Sequence, residues 1–186
     1  HYKNFQKAYE LWLGSALNGD KHSQERLGWL YESGTVVNQN YFEAAKWYEM
    51  AADAGSPNAQ VALALLYYYG KGLEKNISLA LRWFQAAGKQ NNSTAQFYLG
   101  EIFDFGNGQG IDEDNGKALD WYLLAARQGN VLAQLAIGGL YYFGDGVEEN
   151  DNEAFKWFNL AAQQNNPDAQ FFLGNIYDFG DGVKPD

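Results

Sequence analysis

Glu101 and Asp104 stand three residues apart, one turn of a helix, and two carboxylates at that spacing suggest a general acid and a general base acting on a glycosidic bond. Nothing near them supports that chemistry. The only histidines are His1 and His22, both close to the N-terminus, so neither a Ser-His-Asp set nor a multi-histidine metal site can be assembled. The chain has no cysteine, which removes thiol nucleophiles, disulfides and cysteine metal ligands together. DEDNG (residues 112–116) has the acidity of a calcium loop, but it lacks the spaced ligands and the closing glutamate, so Asp114 reads as a helix cap. GNGQG (residues 106–110) has no strand before it and no lysine in register after it, and is rejected as a phosphate loop. Asn76, Asn91 and Asn92 begin Asn-x-Ser/Thr sequons, of which Asn76 and Asn91 are better used as helix punctuation. No catalytic residue, metal or cofactor is therefore expected, and Glu101 and Asp104 read as two carboxylates on a solvated helix face.

Composition narrows the partners. The chain has 186 residues, 46% hydrophobic and 17% aromatic, enough to bury a sizeable core as one domain over residues 1–186. A net charge of -10 repels nucleic-acid phosphate and anionic lipid, which excludes nucleic acid as the expected partner. No apolar run reaches the roughly 18 residues of a membrane span, so no membrane insertion is expected. The compartment stays open.

The elements that carry these residues repeat. Ala-Gln recurs at Ala59-Gln60, Ala95-Gln96, Ala133-Gln134 and Ala169-Gln170, with Ser23-Gln24 one step earlier. Trp47-Tyr48, Trp83-Phe84, Trp121-Tyr122 and Trp157-Phe158 keep the same step of about 36 residues. Each copy reads as two helices. Ala59, Leu63, Leu66, Tyr67 and Gly70 form one helical stripe, and Ala80, Trp83, Phe84, Ala87 and Gly88 form the next. The second helix is expected to start at Asn4, Asn40, Asn76, Asp114 and Asn150, side chains that accept first-turn amide hydrogens. It should end before Gly19, Gly55, Asn91, Gly129 and Asn165, which tolerate the left-handed conformation. Pro57 and Pro167 fit the first turn of the following helix. The glycine turns at Gly34–Val37, Gly70–Leu73, Gly106–Ile111, Gly144–Val147 and Gly180–Val183 join the two helices of a pair. Half a repeat (1–19), four repeats (20–55, 56–91, 92–129, 130–165) and a second half (166–186) account for the chain, giving ten helices.

The series Ala-Gln, Leu99-Gly100, Phe103, Gly106, Gly108, Ile111, Lys117-Ala118, Trp121-Tyr122 and Ala125-Ala126 resembles the Sel-one-like repeat (SLR) family, relatives of the tetratricopeptide repeats, over essentially the whole chain. Ala64 in place of a mid-helix glycine, Val36 in place of a turn glycine, and the insertion Gln109-Gly110 depart from the pattern. The resemblance implies an all-α, right-handed superhelix of about five antiparallel helix pairs, serving as a non-enzymatic interaction scaffold in bacteria. Members are commonly envelope, secreted or host-interaction proteins or adaptors, which favours a periplasmic or secreted setting over the cytoplasm. Some act as immunity proteins against secreted toxins, one alternative for this chain. Several secreted members carry a disulfide in each repeat, a subtype that a chain without cysteine does not join.

In such a solenoid the first helix of each pair lines the concave wall. The positions that do not recur there are Glu25, Trp29, Glu32; Val61, Leu65, Tyr68; Phe97, Glu101, Asp104; Leu135, Gly139, Tyr142; and Phe171, Asn175, Asp178. Trp29, Glu32, Leu65, Tyr68, Phe97, Glu101, Asp104, Tyr142, Phe171, Asn175 and Asp178 are the candidate binding residues for a protein or peptide, with the acids favouring a basic one. The competing account has these aromatics packing between neighbouring helices. A hydrolase acting on a cell-wall or glycan polymer through Glu101 or Asp104 is the enzymatic alternative. A monomer is expected, or weak end-to-end self-association through uncapped ends; a longer native chain, suggested by the missing initiator methionine and the stop at Asp186, is the simpler reason for such ends.

Overall fold

The computed structural model describes residues 2–106 and 111–179. Among these every regular element is a helix: α1 Tyr2–Leu17, α2 Lys21–Ser33, α3 Tyr41–Asp53, α4 Pro57–Tyr69, α5 Ile77–Lys89, α6 Ser93–Phe105, α7 Asn115–Ala126, α8 Val131–Phe143, α9 Asp151–Gln163 and α10 Pro167–Phe179. The fold class is an all-α solenoid of helix pairs. The chain falls into two compact units, residues 1–92 with α1 to α5 and residues 93–186 with α6 to α10.

The helix ends follow the sequence closely. Asn40, Asn76, Asp114 and Asn150 are N-caps whose side chains accept first-turn amide hydrogens, as do Asp20, Ser56 and Asn130 on the alternate helices. Each such cap contributes about 1 kcal/mol. Pro57 and Pro167 open α4 and α10. Asn91 and Asn165 take φ of 65° and 63°, the conformation that Gly19, Gly55 and Gly129 supply elsewhere. Asn4 is the exception: α1 already begins at Tyr2, so Asn4 lies inside the helix and caps nothing. The turns expected at residues 107–110 and 180–183 lie outside the described residues.

In unit 1, Ala44, Tyr48, Ala51, Leu63 and Leu66 form one core between α3 and α4, and Ala16, Leu27 and Leu30 form another beside Trp12 and Trp47. In unit 2, Ala118, Tyr122, Ala125, Ile137 and Leu140 join α7 to α8, and Ala154, Phe158, Ala161, Ala169 and Ile176 join α9 to α10. The many alanines let helix backbones approach closely, and each large side chain buried between them contributes roughly 1.5–3 kcal/mol.

The recurring glutamine has a structural task. Gln24, Gln60 and Gln134 each donate through Nε2 to a last-turn carbonyl of the helix before, Ala16, Ala52 and Ala126, at 3.1, 3.1 and 3.3 Å. Those carbonyls also accept the amides of Gly19, Gly55 and Gly129 just past the helix, at 3.0, 2.9 and 2.9 Å, so the buried glutamine amide is a second donor that fastens one helix end to the next helix. The Oε1 atoms of Gln60, Gln96 and Gln134 accept from Gln90, Gln128 and Gln164 after the next helix, at 2.9, 2.7 and 2.9 Å. The position that would serve Gln24 holds Ala54, and Gln24 Oε1 is buried without a protein donor.

Candidate binding surface

The first helix of each pair, α2, α4, α6, α8 and α10, carries the wall residues, and the second helix decides how far each remains available. The controlling contact is made by the second aromatic of each Trp-aromatic pair. Tyr48, Phe84, Tyr122 and Phe158 are fully buried or nearly so. In three cases the ring lies against a glycine of the first helix: a Cβ on Gly28, Gly100 or Gly138 would fall inside the ring of Tyr48, Tyr122 or Phe158.

What faces the far end of each ring depends on whether it has a hydroxyl. Tyr48 donates to Glu32 Oε2 at 2.6 Å, and Tyr122 donates to Asp104 Oδ2 at 3.0 Å. Opposite the phenylalanines the same wall position is a tyrosine: Tyr68 meets Phe84 edge-on at 6.3 Å between centroids, and Tyr142 meets Phe158 at 6.1 Å. Acid therefore answers tyrosine and tyrosine answers phenylalanine, alternating along the repeats. A buried hydroxyl needs an acceptor, whereas a ring without one gains from an edge-to-face neighbour.

These contacts set the electrostatics. Burial, then the hydrogen bond and negative charge of Glu32, push the Tyr48 phenol well above its ordinary range. Burial also raises Asp104, with Asp145 and Glu113 adding to the effect and the Tyr122 hydroxyl opposing it. Asp104 is thus half-buried and hydrogen-bonded, where the sequence suggested a solvated carboxylate, and Glu101 remains one turn away on the same helix. Glu25 receives the Ser56 hydroxyl at 2.6 Å and the Asn58 amide at 3.3 Å, which ties α2 to the start of α4.

The remaining wall residues divide by exposure. Phe97 lies 5.8 Å from the Tyr122 ring, and Tyr142 also touches Phe172, so both rings are partly used in packing. Leu65, Glu101 and Asn175 are half-buried, and Asp178 is exposed. Trp29 is 41% exposed, with the Arg26 guanidinium 4.3 Å from its ring centre, and Phe171 is 65% exposed. Val61 is buried.

The sequence reading missed a second row. Tyr69, Phe105 and Phe143, the last residues of α4, α6 and α8, are 53%, 76% and 59% exposed. They immediately precede the turn glycine in successive repeats, so large aromatics at the last helical position were the available signal.

Among the described residues no group of three or more His, Asp or Glu is placed to hold a metal ion. No described helix is long and apolar enough to cross a membrane.

A family model, the Sel1 repeat, matches residues 21–56, 57–92, 93–130, 131–166 and 167–186. Curated proteins give no match. Among solved structures, a Sel1 repeat protein from Oxalobacter formigenes is 36% identical, with 90% of this chain and 68% of that one covered and a TM-score of 0.83. A protective antigen of uropathogenic Escherichia coli with an SLR fold is 35% identical at a TM-score of 0.88. This chain is 95% covered in that comparison but spans only 37% of the antigen's length. An immunity protein from Pseudomonas aeruginosa, 23% identical over 98% of this chain and 65% of its own, shares the fold at a TM-score of 0.59.

Proposed function

The chain belongs to the Sel1 repeat family, whose members typically mediate protein–protein interaction, and from that premise we propose that it is a non-enzymatic scaffold holding a protein or peptide segment against the first helices of its repeats. The observation that carries this reading is the division of labour on those helices. The recurring glutamines, alanines and glycines are consumed by packing, while Trp29 and Phe171 keep large apolar area in solvent at positions that change from repeat to repeat. A few such residues suffice: micromolar affinity needs about 8 kcal/mol net of association costs, and each buried aromatic supplies roughly 1.5–3 kcal/mol. Within unit 1 Leu65 and Tyr68 would widen the contact about Trp29, and within unit 2 Phe97, Glu101 and Tyr142 would widen that about Phe171. The Tyr122 hydroxyl on Asp104 favours this scaffold over a hydrolase, because a carboxylate holding up a buried phenol is poorly placed to exchange protons with substrate.

The test is capture from a bacterial extract by the full chain and by a Trp29→Ala/Phe171→Ala variant matched to it in helicity and melting. A protein retained by the parent and lost with the variant supports the scaffold. Equal retention, or none, overturns it.

A further inference from the structure

The net charge is not shared between the two units. Residues 1–92 contain nine lysines and arginines against eight acids, and residues 93–186 contain four against fifteen. In unit 2, Lys117 and Lys156 are engaged by Asp114 and Glu153 at 2.7 and 2.6 Å. The acids collect at one edge. The turn after α8 lies on the start of α7, so close that a Cβ on Gly146 would run into Asn115. This brings Asp145 near Asp104 and Glu113, whose mutual repulsion registers on Asp104. Phe143 and Phe105 stand exposed at the helix ends of the same rim.

Unit 1 shows what such a ring accepts. Lys71 and Asp145 hold equivalent turn positions, their amides donating to Leu66 and Leu140 with the same 3.0 Å geometry. Lys71 places its ammonium 5.5 Å from the Tyr69 ring centre. At the matching place in unit 2 the ring is Phe143 and the turn residue is an acid. Phe143, which meets Tyr142 and Phe172 edge-on and is still 59% exposed, therefore has no cation in its own turn, and the turn residue there is an acid, a pairing that attracts a cation from another chain.

We propose that the turn rim of unit 2, formed by Phe105, Phe143 and Asp145 with Glu113 and Asp104 behind them, docks a basic protein segment, one lysine or arginine of which lies over the Phe143 ring. This deepens the scaffold reading and rests on it. Anionic lipid and nucleic acid are repelled by the same charges, which leaves a cationic peptide with an apolar residue for Phe105 as the occupant.

The probe is a fluorescein-labelled 16-residue peptide of alternating lysine and leucine turns, titrated into the full chain by anisotropy, with its glutamate-for-lysine counterpart as control. Asp145→Lys rebuilds the turn that unit 1 already uses, so its fold is retained. It should weaken lysine-peptide binding by about tenfold or more, and Phe105→Ala/Phe143→Ala by about fivefold or more, the range of exposed cation–ring and apolar contacts. Glu49→Lys, which makes the same change of charge on α3 of unit 1, should leave binding within about twofold, because a peptide that reads the rim responds to Asp145 and not to net charge alone. Failure of the lysine peptide to bind, equal binding of the glutamate peptide, or equal loss with Glu49→Lys overturns the rim proposal. If the rim variants still capture the extract protein that Trp29→Ala/Phe171→Ala loses, the rim proposal falls and the scaffold stands.

Discussion

The Tyr122 hydroxyl, at the centre of a buried core, donates to Asp104 Oδ2 at 3.0 Å on the preceding helix, while burial pushes that carboxyl above its ordinary range. One carboxylate thus joins two helices of a repeat and carries a desolvation cost at neutral pH. The pair Tyr48 and Glu32 repeats the arrangement in the other unit at 2.6 Å.

Asp104→Asn keeps an acceptor for Tyr122 and removes the charge. Because the native carboxyl has the higher pKa, the folded chain binds more protons than the unfolded one between the ordinary carboxylate range and the raised value. The contribution of Asp104 to stability therefore falls as pH rises through that window. Urea unfolding at pH 7 should find Asp104→Asn at least as stable as the parent, with its advantage shrinking as pH falls through that window and levelling off below about pH 4, where Asp104 is protonated in both states. An advantage that grows on acidification would contradict the assignment.

Gln24 is the one residue of its series whose Oε1 is buried without a protein donor, because Ala54 stands where Gln90 and Gln164 serve Gln60 and Gln134. Ala54 has φ of -77° and ψ of 7°, near the -89°, 16° of Gln90 and the -93°, 16° of Gln164, so glutamine fits its backbone. Ala54→Gln should stabilise by about 0.5–1.5 kcal/mol, the net value of one hydrogen bond. At roughly 2–4 °C per kcal/mol for a chain of this size, calorimetry will resolve the rise in Tm. An unchanged Tm would mean that the new amide does not reach Gln24.

Gly138 and Gly139 are neighbours on α8 with opposite surroundings. A Cβ on Gly138 would enter the Phe158 ring, and one on Gly139 meets nothing within 4 Å. Gly138→Ala should cost about 1–3 kcal/mol by overpacking, whereas Gly139→Ala should gain about 0.5–1 kcal/mol from helix propensity. Chemical denaturation of both variants decides it, and two changes of the same sign would contradict the packing described here.

Most of the scaffold was readable from the chain alone. Period, caps and turn glycines are local signals, and Asn40, Pro57, Gly70 and Asn165 take the roles their types imply. The wall was read less completely, because its chemistry depends on partners 16 to 33 residues away: Tyr48 for Glu32, Tyr122 for Asp104, Ser56 and Asn58 for Glu25. Aligning the repeats would have exposed the rule, since Glu32, Tyr68, Asp104 and Tyr142 alternate in step with Tyr48, Phe84, Tyr122 and Phe158. Asn4 misled for the opposite reason: a capping type was read without the residues before it, and Tyr2 already begins the helix.

The central claim, that the first helix of each repeat is the receptive surface, is tested most directly by amide hydrogen exchange of the chain alone and saturated with its captured partner. Slowed exchange should concentrate on first helices, α2 around Trp29 or α10 around Phe171, with the second helices α3, α5, α7 and α9 unchanged. Protection confined to those second helices would contradict the account.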